Sequence, residues 1–380
     1  MKRLGAVVGL LAAVVSTVGA QQARPYKVGV SSESGDIVTW VVPGAGTLAP
    51  DRVVPVGVMP ADIDGPHNIT MSPDRKSYYV SIAHGTPFGT LWRFDALTDT
   101  VIGRSDVEYY PTTIALTPDG ELAFVANSDF HGDRPRVNML SIVHTPTMTK
   151  ITDMPVCDMP HGVKVDHAGA RVWVTCMHSD EILSLDVSTF TISARAHVGT
   201  GGGMAGMDHG AMQHSGSAPA MPMKMDGPIA KPAPREGECS PTFISISADD
   251  RTLYVACNYG NSVQVWDVAS LTMTREIAVG KGAYNVEPSP DGRWLVATNK
   301  KDQSVSVIEL ATMTVKATIP TTKKIVHGVA FSPDSRYAFI TAESIGADPG
   351  SLDMIDLTTM TKVATMPLPA QPTGVTVWTP

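Results

Sequence analysis

One pattern returns along this 380-residue chain: Pro-x-x-Ile/Val-x-x-Ser/Thr-Pro-Asp-Gly, then an apolar run, then a second run ending in an acidic residue. The copies read PHNITMSPDRKSYYV from Pro66, PTTIALTPDGELAFV from Pro111, PHGVKVDHAGARVWV from Pro160, PTFISISADDRTLYV from Pro241, AYNVEPSPDGRWLV from Ala283 and VHGVAFSPDSRYAFI from Val326. A shortened copy, PTGVTVW, starts at Pro372. Starts are 42 to 49 residues apart, with one interval of 81 between Pro160 and Pro241. A period of about 40–50 residues holding four short strands is the signature of a β-propeller. The expected fold class is therefore all-β.

Each unit reads alike. Strand a starts at the proline, and Pro-Asp-Gly makes the a–b turn, Pro presetting φ and Gly or Asp tolerating the tight geometry. Strand b is the apolar run, strand c ends in Asp95, Asp186, Asp267, Glu309 or Asp356, and a Thr-Met-Thr turn leads to strand d. Met148, Met273, Met313 and Met360 read as packing residues of that turn, in the place of Phe190 in the third unit. The N-terminal strands KVGVSS and DIVTWVV lack a strand a, and PTGVTVW lacks b, c and d. Joined, they make a seventh blade and close the ring, which removes sheet edges prone to aggregation. The expectation is a seven-bladed propeller over 26–380, with a signal peptide at 1–20 and an insertion at 200–238.

The runs FVANS, YVACN and LVATN, followed by Val263-Gln-Val-Trp-Asp267 and Val305-Ser-Val-Ile-Glu309, resemble those of the YVTN-repeat (YncE-like) exported propellers. The resemblance covers nearly the whole mature chain and implies the fold and an extracytoplasmic home. It implies no single chemistry, because propellers host many functions.

The N-terminus agrees. Lys2 and Arg3, an apolar run from Leu4 to Val18 and the small residues Val18-Gly19-Ala20 form a secretory signal. The run is short for a bilayer span of ~20 residues, and no later stretch is longer. The mature protein is expected to be periplasmic or secreted, without a membrane span. Net charge is −8, and more negative once Lys2 and Arg3 leave, which argues against nucleic acid as a partner.

The segment Gly201–Asp226, GGGMAGMDHGAMQHSGSAPAMPMKMD, stands apart. Met204, Met207, Met212, Met221, Met223 and Met225 alternate with His209 and His214 among Gly, Ala, Ser and Pro. Thioether and imidazole favour copper, Cu(I) above all. MAGMDHGAM resembles the Met/His-rich motifs of periplasmic copper-resistance proteins, which makes copper the expected cofactor. The plainer alternative is a low-complexity linker.

Strands in a blade run up and down, so loops entering strand a share a face with loops joining b to c. His67, His161 and His327 start strands a on that face, and His84, His131 and His178 follow strands b. His197, His209 and His214 join them; only His144 and His167 fall opposite. Cys157 and Cys239 precede strand a of blades three and four, and Cys176 and Cys257 end strand b of the same blades. Antiparallel pairing puts the start of a beside the end of b, so Cys157–Cys176 and Cys239–Cys257 are the natural disulfides, each worth about 3 kcal/mol. The competing reading keeps the thiolates free beside Met159, His161, Met177 and His178 as a Cu(I) cluster; with the disulfides formed, those four remain candidate ligands. His67, His161 and His327 around the channel mouth are candidates for a metal or an anion, or else cap the channel with water between them.

The chain carries no Gly-x-Ser-x-Gly elbow, Walker loop or Cys-x-x-Cys-His haem attachment. Asp62, Asp64, Glu108, Asp158 and Glu287 are acids by position, with no pattern that singles them out. Three functions remain: copper handling by store or delivery, a cell-envelope scaffold for a periplasmic protein partner, and a hydrolase or redox enzyme at the channel mouth.

Overall fold

The computed structural model describes residues 25–58, 63–84, 88–128, 138–199, 237–344 and 347–380. The expected signal peptide at 1–20, Asp62, His131, and the ligand candidates Met204, Met207, His209, Met212, His214, Met221, Met223 and Met225 lie outside the described residues.

Seven four-stranded sheets form, each following chain order except the one that joins the termini. The innermost strands are Pro66–Met71, Pro111–Leu116, Pro160–Val165, Pro241–Ile246, Ala283–Pro288, Ile325–Phe331 and Pro372–Trp378. Each packs on the next, and the last on the first, so the ring is closed. Among the described residues the one helical element is a 3-10 turn, Glu33–Gly35, and no helix is long and apolar enough to cross a membrane.

Blade seven is built from both ends of the chain. Val28 pairs with Val377 and Val30 with Val375. Lys27–Ser32 and Ile37–Pro43 supply strands b and c. Its strand d is Leu48–Pro55, a segment the sequence pattern does not mark, because Pro50, Asp51 and Pro55 interrupt it. An outermost strand tolerates proline, since one of its sides makes no ladder bonds.

The blades are joined by buried hydroxyls. The strand b hydroxyl of one blade donates to a strand a carbonyl of the next: Ser31 to His67 at 3.3 Å, Ser81 to Thr112 at 2.8 Å, Thr175 to Thr242 at 2.9 Å, Thr298 to His327 at 3.2 Å and Thr341 to Thr373 at 2.9 Å. Blades two and four have Ala126 and Ala256 at that strand b position. There strand a supplies the hydroxyl instead, Thr112 to the His161 carbonyl at 3.3 Å and Thr242 to the Tyr284 carbonyl at 2.5 Å. Every interface thus keeps one such bond, each worth about 1 kcal/mol net. In blades one, three, five and six, where strand b carries the hydroxyl, strand a holds an imidazole or a phenol; in blade seven Ser31 and Thr373 both bond the His67 carbonyl.

The c–d turns hold a residue at positive φ: Met148 (51°), Phe190 (55°), Leu271 (49°), Met313 (53°) and Met360 (55°). Met148 is buried, and Phe190, Leu271, Met313 and Met360 pack on the core. Met273, grouped with these by sequence, is exposed in strand d; the equivalent residue of blade four is Leu271. Both expected disulfides are present, Cys157–Cys176 with Cα atoms 5.8 Å apart and Cys239–Cys257 at 4.5 Å.

Candidate functional site

The second position of each repeat holds His67, Thr112, His161, Thr242, Tyr284, His327 and Thr373, and all seven are buried. The three threonines belong to the inter-blade bonding, and the other four side chains fill the channel end. His67 lies 5.5 Å from His327 and 6.4 Å from His161 between ring centroids, and Tyr284 lies 4.6 Å from His327. Phe243 packs edge-on against His161 at 5.0 Å. The three histidines expected at the mouth therefore meet in one crown.

Glu33, in the 3-10 turn between strands b and c of blade seven, reaches into this crown. Its Oε2 is 2.7 Å from His67 Nδ1, and its Oε1 is 2.9 Å from His84 Nε2. The Tyr110 hydroxyl donates to the same Oε1 at 3.0 Å. Burial pushes the Glu33 carboxyl up, but His67 and His84 outweigh it and hold the group well below the usual carboxylate range. An ionised carboxylate only accepts, so His67 presents Nδ1–H to it and Nε2 is the nitrogen left for other partners.

His161 is a neutral imidazole of fixed tautomer. Its Nδ1–H points at the Thr242 carbonyl at 2.8 Å, so Nε2 accepts from the Tyr284 hydroxyl at 3.1 Å. Burial, then His67 and Lys300, push it down to about 3. Burial and Lys300 likewise hold His327 well below its ordinary range. Its Nδ1 has no hydrogen-bond partner among the described residues, and its Nε2 is 3.9 Å from Glu343 Oε1. Burial raises the Glu343 carboxyl, with Lys300 Nζ 3.6 Å away opposing it. Lys300 also stands over the Tyr284 ring at 4.0 Å.

A stability consequence follows from His161. The unfolded chain takes up its proton near pH 6.5 and the folded crown resists until about 3. The protein therefore loses stability as pH falls from 6.5, by about 2–3 kcal/mol at pH 4.5 from this residue alone. Urea melts at pH 7 and pH 4.5 check this: His161→Gln should flatten the pH slope relative to the unsubstituted protein, and an equal slope would refute it.

Beyond the crown the channel widens into a cavity of about 1120 Å³, lined by Asn68, Lys164, Phe243, Asn285, Glu287 and His327 and reaching the a–b turns at Pro73 and His167. Glu287 is held there by Lys164 at 2.5 Å, away from the crown.

The other candidate ligands spread out. Met159 is buried, Met177 half-buried and His178 exposed. The Met177 amide donates to the Met159 carbonyl at 3.0 Å and the His178 amide to the Asp158 carbonyl at 3.3 Å, so these three residues share a rim. His161, sequence neighbour of Met159, turns instead into the crown. Among the described residues, the group of His, Cys, Asp or Glu donors close enough to share an ion is Cys157, Cys176 and Glu181, and its sulfurs are joined in a disulfide.

The Cytochrome D1 heme domain family matches residues 242–328, the part that carries Thr242, Tyr284, Lys300 and His327. Among solved structures, the periplasmic gluconolactonase PpgL of Pseudomonas aeruginosa is similar at TM-score 0.68 and 16% identity, over 93% of this chain and 99% of that one. Kuenenia stuttgartiensis hydrazine synthase is similar at TM-score 0.61 and 20% identity, over 84% of this chain and 92% of that one. Dihydro-heme d1 dehydrogenase NirN in complex with DHE is similar at TM-score 0.57 and 14% identity, over 92% of this chain and 74% of that one. The chain is a seven-bladed β-propeller. At these identities the likeness is one of fold.

A tetrapyrrole does not fit within this crown. Its aromatic and imidazole rings lie 4.6 to 6.4 Å apart, and both nitrogens of His161 are spent on Thr242 and Tyr284. No step is derived through a haem.

The sequence pattern marked His67, His161, His327 and His84 but not Glu33, Tyr110, Tyr284, Lys300 or Glu343. A usable signal existed in the repeat register. Tyr284 occupies the position of the three histidines, and Glu33, Lys300 and Glu343 all lie two residues after the strand b hydroxyl.

Proposed function

We propose that this propeller is an exported hydrolase whose crown activates water against a small polar ester or lactone. The observation that carries the reading is the buried Glu33–His67 pair, in which Nδ1 is engaged by Glu33 and Nε2 is left to face groups from six blades. Glu33 fixes the His67 tautomer and stabilises the imidazolium formed when Nε2 takes a proton from the water that adds to the carbonyl; the imidazolium returns that proton to the leaving alkoxide as the C–O bond breaks. Lys300, at the lip of the crown, stabilises the oxyanion that develops on the carbonyl. A fold shared with a protein named as a gluconolactonase is compatible with this and supplies no residue roles. The test is hydrolysis by the mature protein across a panel of small esters and lactones. His67→Gln should lower turnover by about 10²–10⁴-fold. Turnover equal in the variant, or absent across the panel, overturns the reading.

Copper handling is the second reading, favoured by how the Met/His-rich segment is rooted. The Asp180 carboxylate accepts the amides of Cys239 at 3.1 Å and Ser240 at 2.8 Å, while its carbonyl accepts from Val198 at 2.9 Å. One residue thus gathers both ends of the insertion on the crown face, beside the Met159, Met177 and His178 rim. Within this reading the likeness to YVTN-repeat exported proteins supplies the compartment where copper is met. Anaerobic Cu(I) titration against a competing chelator, with and without residues 201–226, tests it; no retention by the full chain removes it.

A further inference from the structure

The loops of the crown face are polarised. Among the described residues, the lysines and arginines of these loops are Lys281, Lys300, Lys301, Lys323 and Lys324. All fall in the loop entering blade five, the b–c loop of blade five and the loop entering blade six. Among the described residues, the loops of blades seven and one to four carry Glu33, Asp36, Asp64, Glu108, Asp158, Asp180 and Glu238 and no lysine or arginine, while the lysine sector itself holds Asp302, with Asp348 in the b–c loop of blade six. Several of these acids are occupied: Asp36 takes the amides of Asp64 and Gly65, and Asp180 those of Cys239 and Ser240. The lysines are less so. Lys281, Lys301 and Lys324 are exposed, Lys301 rests over the Tyr259 ring at 5.1 Å, Lys300 has Glu343 at 3.6 Å, and the Asp302 carboxylate accepts the Lys281 amide at 3.1 Å. Five cations on one sector of a chain at −8, outnumbering Asp302, Glu343 and Asp348 there, make a local positive field. At its inner edge, beside Lys300, lies the buried and unpartnered Nδ1 of His327.

We propose that the ligand of this face is a small anion carrying a carboxylate or phosphate, drawn in by Lys281, Lys301, Lys323 and Lys324 and held at Lys300 beside His327. The inference rests on the crown being a ligand site and names the chemical class of what it takes. A carboxylate matches the ammonium donors and adds the counter-charge that Asp302 and Glu343 supply only in part, which a neutral or cationic molecule does not.

The test is calorimetric titration of the mature protein with citrate and with inorganic phosphate, at low and at physiological salt. Binding of at least one probe should weaken with salt. The Lys301→Glu/Lys324→Glu double variant should weaken it about tenfold, and Lys300→Met at least as much. A control pair on outer strands, Lys150→Glu/Arg275→Glu, changes net charge equally and should leave affinity unchanged; thermal melts verify that each variant is folded. Equal affinity in the double variant, equal weakening by the control pair, or binding of poly-glutamate but of neither small anion would each overturn the proposal. Lysine-dependent binding of a probe, together with ester turnover insensitive to His67→Gln, would sustain the anion site and remove the hydrolase.

Discussion

Truncation after Gln371 is expected to abolish cooperative folding. The lost strand, Pro372–Trp378, is the innermost strand of blade seven and packs on its neighbours in both blades six and one. Its removal strips the paired edge from Lys27–Ser32 and takes away Trp378, which is buried 5.6 Å from Trp40 and bonds the Arg75 carbonyl at 2.9 Å. It also removes Thr373, whose hydroxyl and carbonyl bond blades one and six at 2.5 and 2.9 Å. Burying a tryptophan is worth about 3–5 kcal/mol by itself, against a total of only about 5–15 kcal/mol for a folded domain. The opened ring would also expose an unpaired strand edge. Circular dichroism melts and size-exclusion chromatography read this out: a broad, low-temperature transition with aggregation is expected. A sharp transition near that of the full chain would show that the ring does not depend on its closing strand.

Replacement of Glu33 should have the next largest effect, on stability and on chemistry together. Glu33→Ala leaves His67, His84 and Tyr110 without the acceptor they share. Breaking a buried, hydrogen-bonded charge group of this kind costs about 3–5 kcal/mol. Glu33→Gln keeps the shape and one acceptor oxygen and should cost less, while removing the charge that orients His67. The pH dependence separates the two roles. A carboxyl depressed in the fold contributes stability above its unfolded value near 4.5, and that contribution disappears as pH falls through the folded value. Either substitution should therefore remove part of the acid loss below pH 4.5, leaving the His161 component that begins near 6.5. Urea melts at pH 7 and at pH 4 check both effects. A Glu33→Ala loss under about 1 kcal/mol at pH 7 would mean that the three donors find water instead.

The repeat alone determined the number of blades and the strand that closes the ring, and it placed the cysteines for the two disulfides that the structure then showed. These are consequences of local chemistry at fixed spacing: a Pro-Asp-Gly turn, a period-two apolar run and cysteines on paired positions need only the blade's own residues to be read. The face that gathers the histidines followed from the same up-and-down rule. What the sequence concealed is the crown's membership. Glu33 meets His67 across 34 residues and Tyr110 across 77, and Tyr284 meets His161 across 123; each sits in a different blade. No local pattern relates such residues, because ring closure brings them together. His161 shows the same division. Its sequence neighbour Met159, together with Met177 and His178 at the end of strand b, gave it the look of a surface ligand. Strand a instead turns its side chain into the channel, where Thr242 and Tyr284 engage both nitrogens, and burial beside Lys300 keeps it neutral. The choice between hydroxyl and imidazole at the second position was likewise decided between blades: Thr112 and Thr242 bond the next blade where their own strand b carries Ala126 and Ala256.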